Sequence, residues 1–116
     1  MTNDLESINS ADTILIIGSN TTENHPVIGS MIKEQKRKGK CTLIVCDPRK
    51  IEMAKYADVY LRHKSGSDVA LLNGLMHVII RDELYAKDVV EKNVNNFEKL
   101  KETVAKYTPE YVSDLT

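Results

Sequence analysis

The first half of the chain gathers its apolar residues into short continuous runs. Ile14, Leu15, Ile16 and Ile17 follow Thr13 without interruption and stop at Gly18. A run of this length between polar residues predicts a strand, Thr13 to Ile17, buried on both faces. Thr42 to Val45 predicts a second strand, ending at Cys46 and Asp47 and halted by Pro48. Val59 to Leu61 predicts a third. The segments between and after the strands change to helical spacing. Asp4 to Asn9 reads as a short helix, and Ser19 to His25, polar throughout, as a loop. Pro26 suits the first turn of a helix, with Val27, Ile28, Met31 and Ile32 at helical spacing and Gly39 as its stop. Lys50 to Tyr56 predicts a short helix. Ser65 with Asp68 resembles a capping box that opens a long helix through Ile80. Its expected apolar face is Val69, Leu72, Leu75, Met76 and Ile79. Val89, Val90 and Val94 mark one further helix, Phe97, Leu100 and Val104 another, and Pro109 opens a last one to Leu115.

Strands alternating with helices predict an α/β fold, a Rossmann-like three-layer α/β/α arrangement with a mainly parallel sheet and right-handed crossovers. At 116 residues the chain fits one domain, and no linker-like stretch divides it. The formal net charge of -1 gives no global attraction to nucleic acid or membrane. The basic run from Lys33 to Lys40 reads as a solvated helix end complementing the helix dipole. No aromatic residues interleave with it as a nucleic-acid patch would require. No apolar stretch approaches the roughly 20 residues of a membrane span, and the polar, acidic N-terminus does not read as a signal peptide. The two cysteines, Cys41 and Cys46, are too few for a disulfide framework. Their odd separation along a strand places them on opposite sheet faces. Small, buried, reduced cysteines fit a cytoplasmic setting.

In parallel α/β sheets, ligands bind at the carboxyl ends of the strands. Three polar clusters are predicted there: Gly18 to His25, Cys46 to Lys50 and Lys64 to Asp68. Gly18 permits a sharp turn and close approach of a ligand. Ser19, Asn20 and Thr21 offer hydroxyl and amide groups to a phosphate or sugar. Asp47 ends the second strand, where an acid commonly accepts ribose hydroxyls, and Arg49 suits a phosphate. Asp68 is suited to guanine, whose N1–H and N2–H lie side by side. Each cluster taken alone is also what a solvated connection looks like, and Asp68 what a helix start looks like. His25, His63 and His77 stand apart, with no partner at metal-ligand spacing. Gly18 lacks the companions of a G-x-G-x-x-G motif, which argues against an NAD-dependent domain, and there is no P-loop.

The clusters together resemble molybdopterin oxidoreductases. Ile17-Gly18-Ser19-Asn20 with Glu23 and His25-Pro26, then Asp47-Pro48-Arg49, then Gly66-Ser67-Asp68 followed by Val69-Ala70-Leu71-Leu72-Asn73-Gly74, and finally Ala105 to Glu110 are similar to that family's third domain, in the same order. The wording is closest to formate dehydrogenase catalytic subunits. The resemblance implies a piece of a larger oxidoreductase that holds the guanosine end of one molybdopterin guanine dinucleotide, two of which grip molybdenum. It implies Gly18, Ser19, Asn20 and Glu23 in the dinucleotide pocket, Asp47 and Arg49 beside the ribose or guanine, and Gly66 and Asp68 at the base, with Cys46 and Pro48 also among the cofactor-binding residues. The partners implied are this cofactor and the remaining domains of the subunit, with no nucleic acid and no membrane. The family's iron–sulfur cysteines, its molybdenum-ligating cysteine or selenocysteine, and the neighbouring His-Arg pair have no counterparts here. Catalytic and metal-ligating residues are therefore expected outside this chain, and the isolated piece is expected to be inactive. A freestanding nucleotide-binding or regulatory module using the same loops is the alternative.

Overall fold

The computed structural model describes residues 3–116. The described chain forms two compact units, one ending at Arg62 and one running from His63 to Thr116. The first unit holds the sheet. Its strands are β1 (Thr13–Ile17), β2 (Thr42–Cys46) and β3 (Val59–Leu61), in the order β1-β2-β3 and all parallel. Two helices, α1 (Thr21–Asn24) and α2 (Pro26–Arg37), connect β1 to β2. Short 3-10 turns occupy Leu5–Ser10 and Glu52–Lys55. The α/β fold with a parallel sheet is thus the one the alternating pattern predicts.

Local chemistry explains the element boundaries. The Asp4 carboxylate accepts the Ser7 N–H at 3.0 Å and opens the first 3-10 turn. Pro26 starts α2, where a missing N–H costs nothing. Asp58 then ties the start of β3 to β2. Its carboxylate accepts the Leu43 N–H at 2.8 Å, and its own N–H donates to the Leu43 carbonyl at 2.8 Å. One sheet face carries Ile14, Ile16, Leu43, Val45 and Tyr60, which pack with Ile32 of α2 and with Ile51 and Met53. Leu43, Val45 and Met53 are fully buried, so the central strand carries most of this core.

The other face departs from expectation. Leu15, Ile44 and Val59 align across the three strands, yet Leu15 and Val59 keep 43% and 44% of their surface exposed. With three strands among the described residues, β1 and β3 are both edges, and on this face Leu15 and Val59 are open while Cys46 is fully buried. In α2 the inward residues are Gly29, Ile32 and Gln35, while Val27 is exposed. A β-carbon on Gly29 would lie 3.2 Å from the Thr21 carbonyl oxygen, so the absent side chain is what lets α2 lie against α1.

The second unit is helical: α3 (Asp68–Arg81), α4 (Lys87–Asn93), α5 (Phe97–Val104) and α6 (Pro109–Leu115). Thr108 caps α6 by accepting the Tyr111 N–H. Helix α3 packs on α5 and α6, and His77 Nδ1 sits 3.0 Å from the Val104 carbonyl oxygen. The face of α3 that is buried is Leu71 and Gly74, not the Val69–Ile79 stripe; Val69 and Ile79 are exposed. A β-carbon on Gly74 would meet Val112 at 2.8 Å, which marks where α6 approaches most closely. No described helix is long and apolar enough to cross a membrane.

Candidate functional site

The loop after β1 is built by the backbone turn at Gly18. Its φ is +62°, a left-handed conformation that a side chain rarely adopts, and no atom lies within 4 Å of where a β-carbon would stand. The Gly18 N–H donates to the Cys46 carbonyl at 3.1 Å, which fastens this loop to the end of β2. The segment expected to be wholly loop contains instead the single helical turn α1. The Asn20 carbonyl accepts the N–H groups of Glu23 and Asn24 at 3.2 and 2.9 Å, closing that turn without any apolar periodicity.

The side chains of this loop are unevenly satisfied. Ser19 and Thr21 hydroxyls lie 3.4 Å apart. The Asn20 Oδ1 and the Thr22 Oγ1 are buried and have no partner in the protein. A buried polar atom left unpaired costs about 1–3 kcal/mol, so two within three residues call for an explanation. Glu23 is exposed on the first turn of α1.

The end of β2 is a scaffold for one cation. Cys46 is fully buried, burial pushes its thiol up, and it meets the loop through its backbone alone. Asp47 is buried as well. Its carboxylate accepts the Arg49 N–H at 2.8 Å, its carbonyl accepts the Tyr60 hydroxyl at 3.0 Å, and its N–H donates to the Leu61 carbonyl at 3.2 Å. The Pro48 carbonyl accepts from Arg62 Nε at 3.0 Å. These bonds fix a tight turn and leave the Arg49 side chain 72% exposed, its Nε 3.5 Å from Asp47. Asp47 therefore shapes the turn, and Arg49 is the group that faces outward.

The third cluster belongs to the second unit. Gly66 turns the chain at φ +83°. The capping box expected of Ser65 and Asp68 does not form: Ser67 takes the cap position, and its hydroxyl donates to the Lys64 carbonyl at 2.6 Å. The Asp68 carboxylate instead meets Nε2 of His63, a buried residue that the sequence left unassigned. Thr22 and His63 are thus the polar groups that sequence reasoning passed over. A hydroxyl in a polar loop and a solitary histidine carry no spacing signal. A concavity of about 610 Å³ lies elsewhere, between Asn9, Ser30, Gln35 and Lys40. Gln35 Oε1 is also unpaired there, but its amide nitrogen already donates to Asn9 at 3.1 Å, so that wall is partly self-satisfied.

Residues 1–108 match the family model described as Molybdopterin oxidoreductase. The chain is 49% identical over 115 residues to the F420-dependent formate dehydrogenase subunit alpha of Methanocaldococcus jannaschii, covering 99% of this chain and 17% of that protein. It is 41% identical over 116 residues to formate dehydrogenase H of Escherichia coli, covering 100% of this chain and 16% of that protein. Among solved structures, acetylene hydratase from Pelobacter acetylenicus superposes with a TM-score of 0.81 at 38% identity, over 90% of this chain and 14% of that one. The chain thus spans about one sixth of the curated relatives it matches. Matching that family model over residues 1–108 and these relatives at 41% and 49% identity, it belongs to the molybdopterin oxidoreductase family.

Proposed function

We propose that this chain grips the guanosine end of a molybdopterin guanine dinucleotide as one domain of a formate dehydrogenase-like catalytic subunit. One observation carries the reading: the buried Asn20 and Thr22 side-chain oxygens without protein partners, beside the open turn at Gly18. The Asn20 oxygen accepts, so it fits a sugar hydroxyl, and the Thr22 hydroxyl fits a sugar oxygen or a phosphate. Arg49, held outward by Asp47, would meet a phosphate. Gly18, Ser19 and Glu23 would line the same loop pocket, with Cys46 and Pro48 shaping its neighbour through their backbone. In the second unit, Gly66 would allow close approach of the base and Asp68 would accept its N1–H and N2–H.

A second consideration supports a shared role. Proteins named for formate and for acetylene carry this segment at similar identity. That likeness across two different named substrates favours a task common to both, and binding a common cofactor is such a task. In the parent subunit the bound group would supply the redox chemistry by which formate becomes carbon dioxide. This chain's residues would supply affinity and orientation.

Calorimetry on the chain with GDP, GMP, AMP and NAD tests the reading. Guanine nucleotides are expected to bind at least about tenfold more tightly than AMP or NAD, a difference of about 1.4 kcal/mol, and Asp68→Ala is expected to erase that preference. Preferential binding of NAD, or a preference unchanged in Asp68→Ala, contradicts it.

A further inference from the structure

His63 is a buried polar group at the start of the second unit. Its side chain is 1% exposed, and its Nε2 lies 2.5 Å from Oδ1 of Asp68. Its Nδ1 is buried with no partner in the protein. A carboxylate oxygen accepts, so the tautomer that satisfies this contact carries its proton on Nε2. Without a second hydrogen bond, enclosure alone fixes the ring. The Asp68 side chain stays 54% exposed, and among the described residues His63 is the side chain that bonds it. An enclosed ring thus holds one oxygen of a carboxylate that otherwise faces outward.

We propose that His63 is a positioning residue that locks the Asp68 carboxylate in the orientation needed to take two adjacent N–H groups of a guanine base, and thereby sets selectivity for the 2-amino group. This rests on the reading of Asp68 given above. Each carboxylate oxygen has two acceptor sites, so Oδ1 serves His63 and one guanine N–H together while Oδ2 takes the other. Two parallel bonds require the carboxylate and base to be nearly coplanar. A freely turning aspartate meets that requirement only part of the time and loses freedom on binding; a clamped one has already lost it. Asp68 alone supplies the acceptors, and His63 makes their direction selective.

The test compares GDP with inosine diphosphate, which lacks the 2-amino group, by calorimetry on the full 116-residue chain. The unaltered chain is expected to prefer GDP by about tenfold, the worth of one hydrogen bond to a charged acceptor. Asp68→Asn is expected to abolish the preference. His63→Leu is expected to reduce it to within about threefold by freeing the carboxylate, with inosine diphosphate affinity little changed. His63→Gln, whose amide N–H reaches the place of Nε2, is expected to restore it, and His63→Asn, whose shorter amide does not, to leave it lost. Equal binding of the two nucleotides by the unaltered chain, or no binding, overturns the reading of Asp68 and this inference with it. A preference lost in Asp68→Asn but kept in His63→Leu overturns the role of His63 alone. If His63→Leu gives no cooperative melt, the Gln and Asn variants decide: equal preference in both overturns the role.

Discussion

The basic end of α2 and the loop after β1 are both conspicuous in the sequence, and they fold in opposite ways. On α2, Lys33 pairs with Glu52 at 3.2 Å, Lys36 with Asp58 at 2.5 Å, and Arg37 and Lys38 share Glu34 at 2.8 and 3.4 Å. Three carboxylates within the unit thus meet four of the five cations in this run. The loop has little charge, yet Asn20 and Thr22 keep buried oxygens that nothing in the protein satisfies. Surface ion pairs contribute little to stability, whereas a buried unpaired polar atom is costly. On the proposed reading a ligand completes the second pattern, so unmet hydrogen bonding, more than charge density, marks the candidate site. Gln35 lies between the two cases, with one end of its amide satisfied and the other not.

The sharpest way to break this contrast is to push the two regions apart. In Gly29→Val the β-carbon would sit 3.2 Å from the Thr21 carbonyl oxygen and 3.3 Å from the Thr22 α-carbon, both backbone atoms. Leaving glycine gains under ~1 kcal/mol of helix propensity, while overpacking costs about 1–3 kcal/mol, so crowding decides the sign. A lower thermal midpoint is expected, together with loss of guanine-nucleotide binding as the loop shifts.

Thr22→Val is a cleaner cut. It replaces an unpartnered hydroxyl with a methyl of similar size. Nucleotide affinity is expected to fall by about five- to tenfold, the worth of one neutral hydrogen bond, while the melt is unchanged or raised. A marked loss of stability would show that the hydroxyl already has a protein partner. Asp58→Asn acts on the paired side. Lys36 first, and the Leu43 N–H second, hold the Asp58 carboxyl below its ordinary value of 3.8. A depressed folded value means that the ionised group stabilises the fold above the unfolded value, and that this is lost as pH falls through the folded one. Melts between neutral pH and pH 3 are expected to show a smaller acid-side decline in Asp58→Asn, from a lower starting midpoint, with nucleotide binding retained. The smallest effect belongs to Glu34→Gln. It releases Arg37 and Lys38 on an exposed helix face, and melts and nucleotide titrations are both expected to match those of the unaltered chain.

Legibility in the sequence followed the physical source of each feature. Thr13–Ile17 and Val59–Leu61 were readable to the residue because an apolar run flanked by polar residues has few other uses. Pro26 and Pro109 announced their helices through a fixed φ. The helical turn Thr21–Asn24 was not readable, since it is closed by the Asn20 carbonyl and not by side-chain pattern. The buried face of α3 was misread for a related reason. Apolar residues occur around much of that helix, and the approach of α6 is decided by the small Gly74, which a hydrophobicity pattern does not weigh. The positions of the site loops were legible from strand ends. Which atoms within them lack partners was not, because that depends on where Gly18, Asp47 and His63 find theirs.

The proposed function puts a guanine nucleotide on the loops at the strand ends and not on the basic helix. Titrating the isotopically labelled chain with GMP while following its backbone amide resonances tests this most directly. Saturable shifts are expected at Gly18, Ser19, Asn20 and Thr22, at Arg49, and at Gly66 and Asp68, with Lys33 to Lys40 unmoved. Shifts concentrated on Lys33 to Lys40, with the loop amides unmoved, would contradict it.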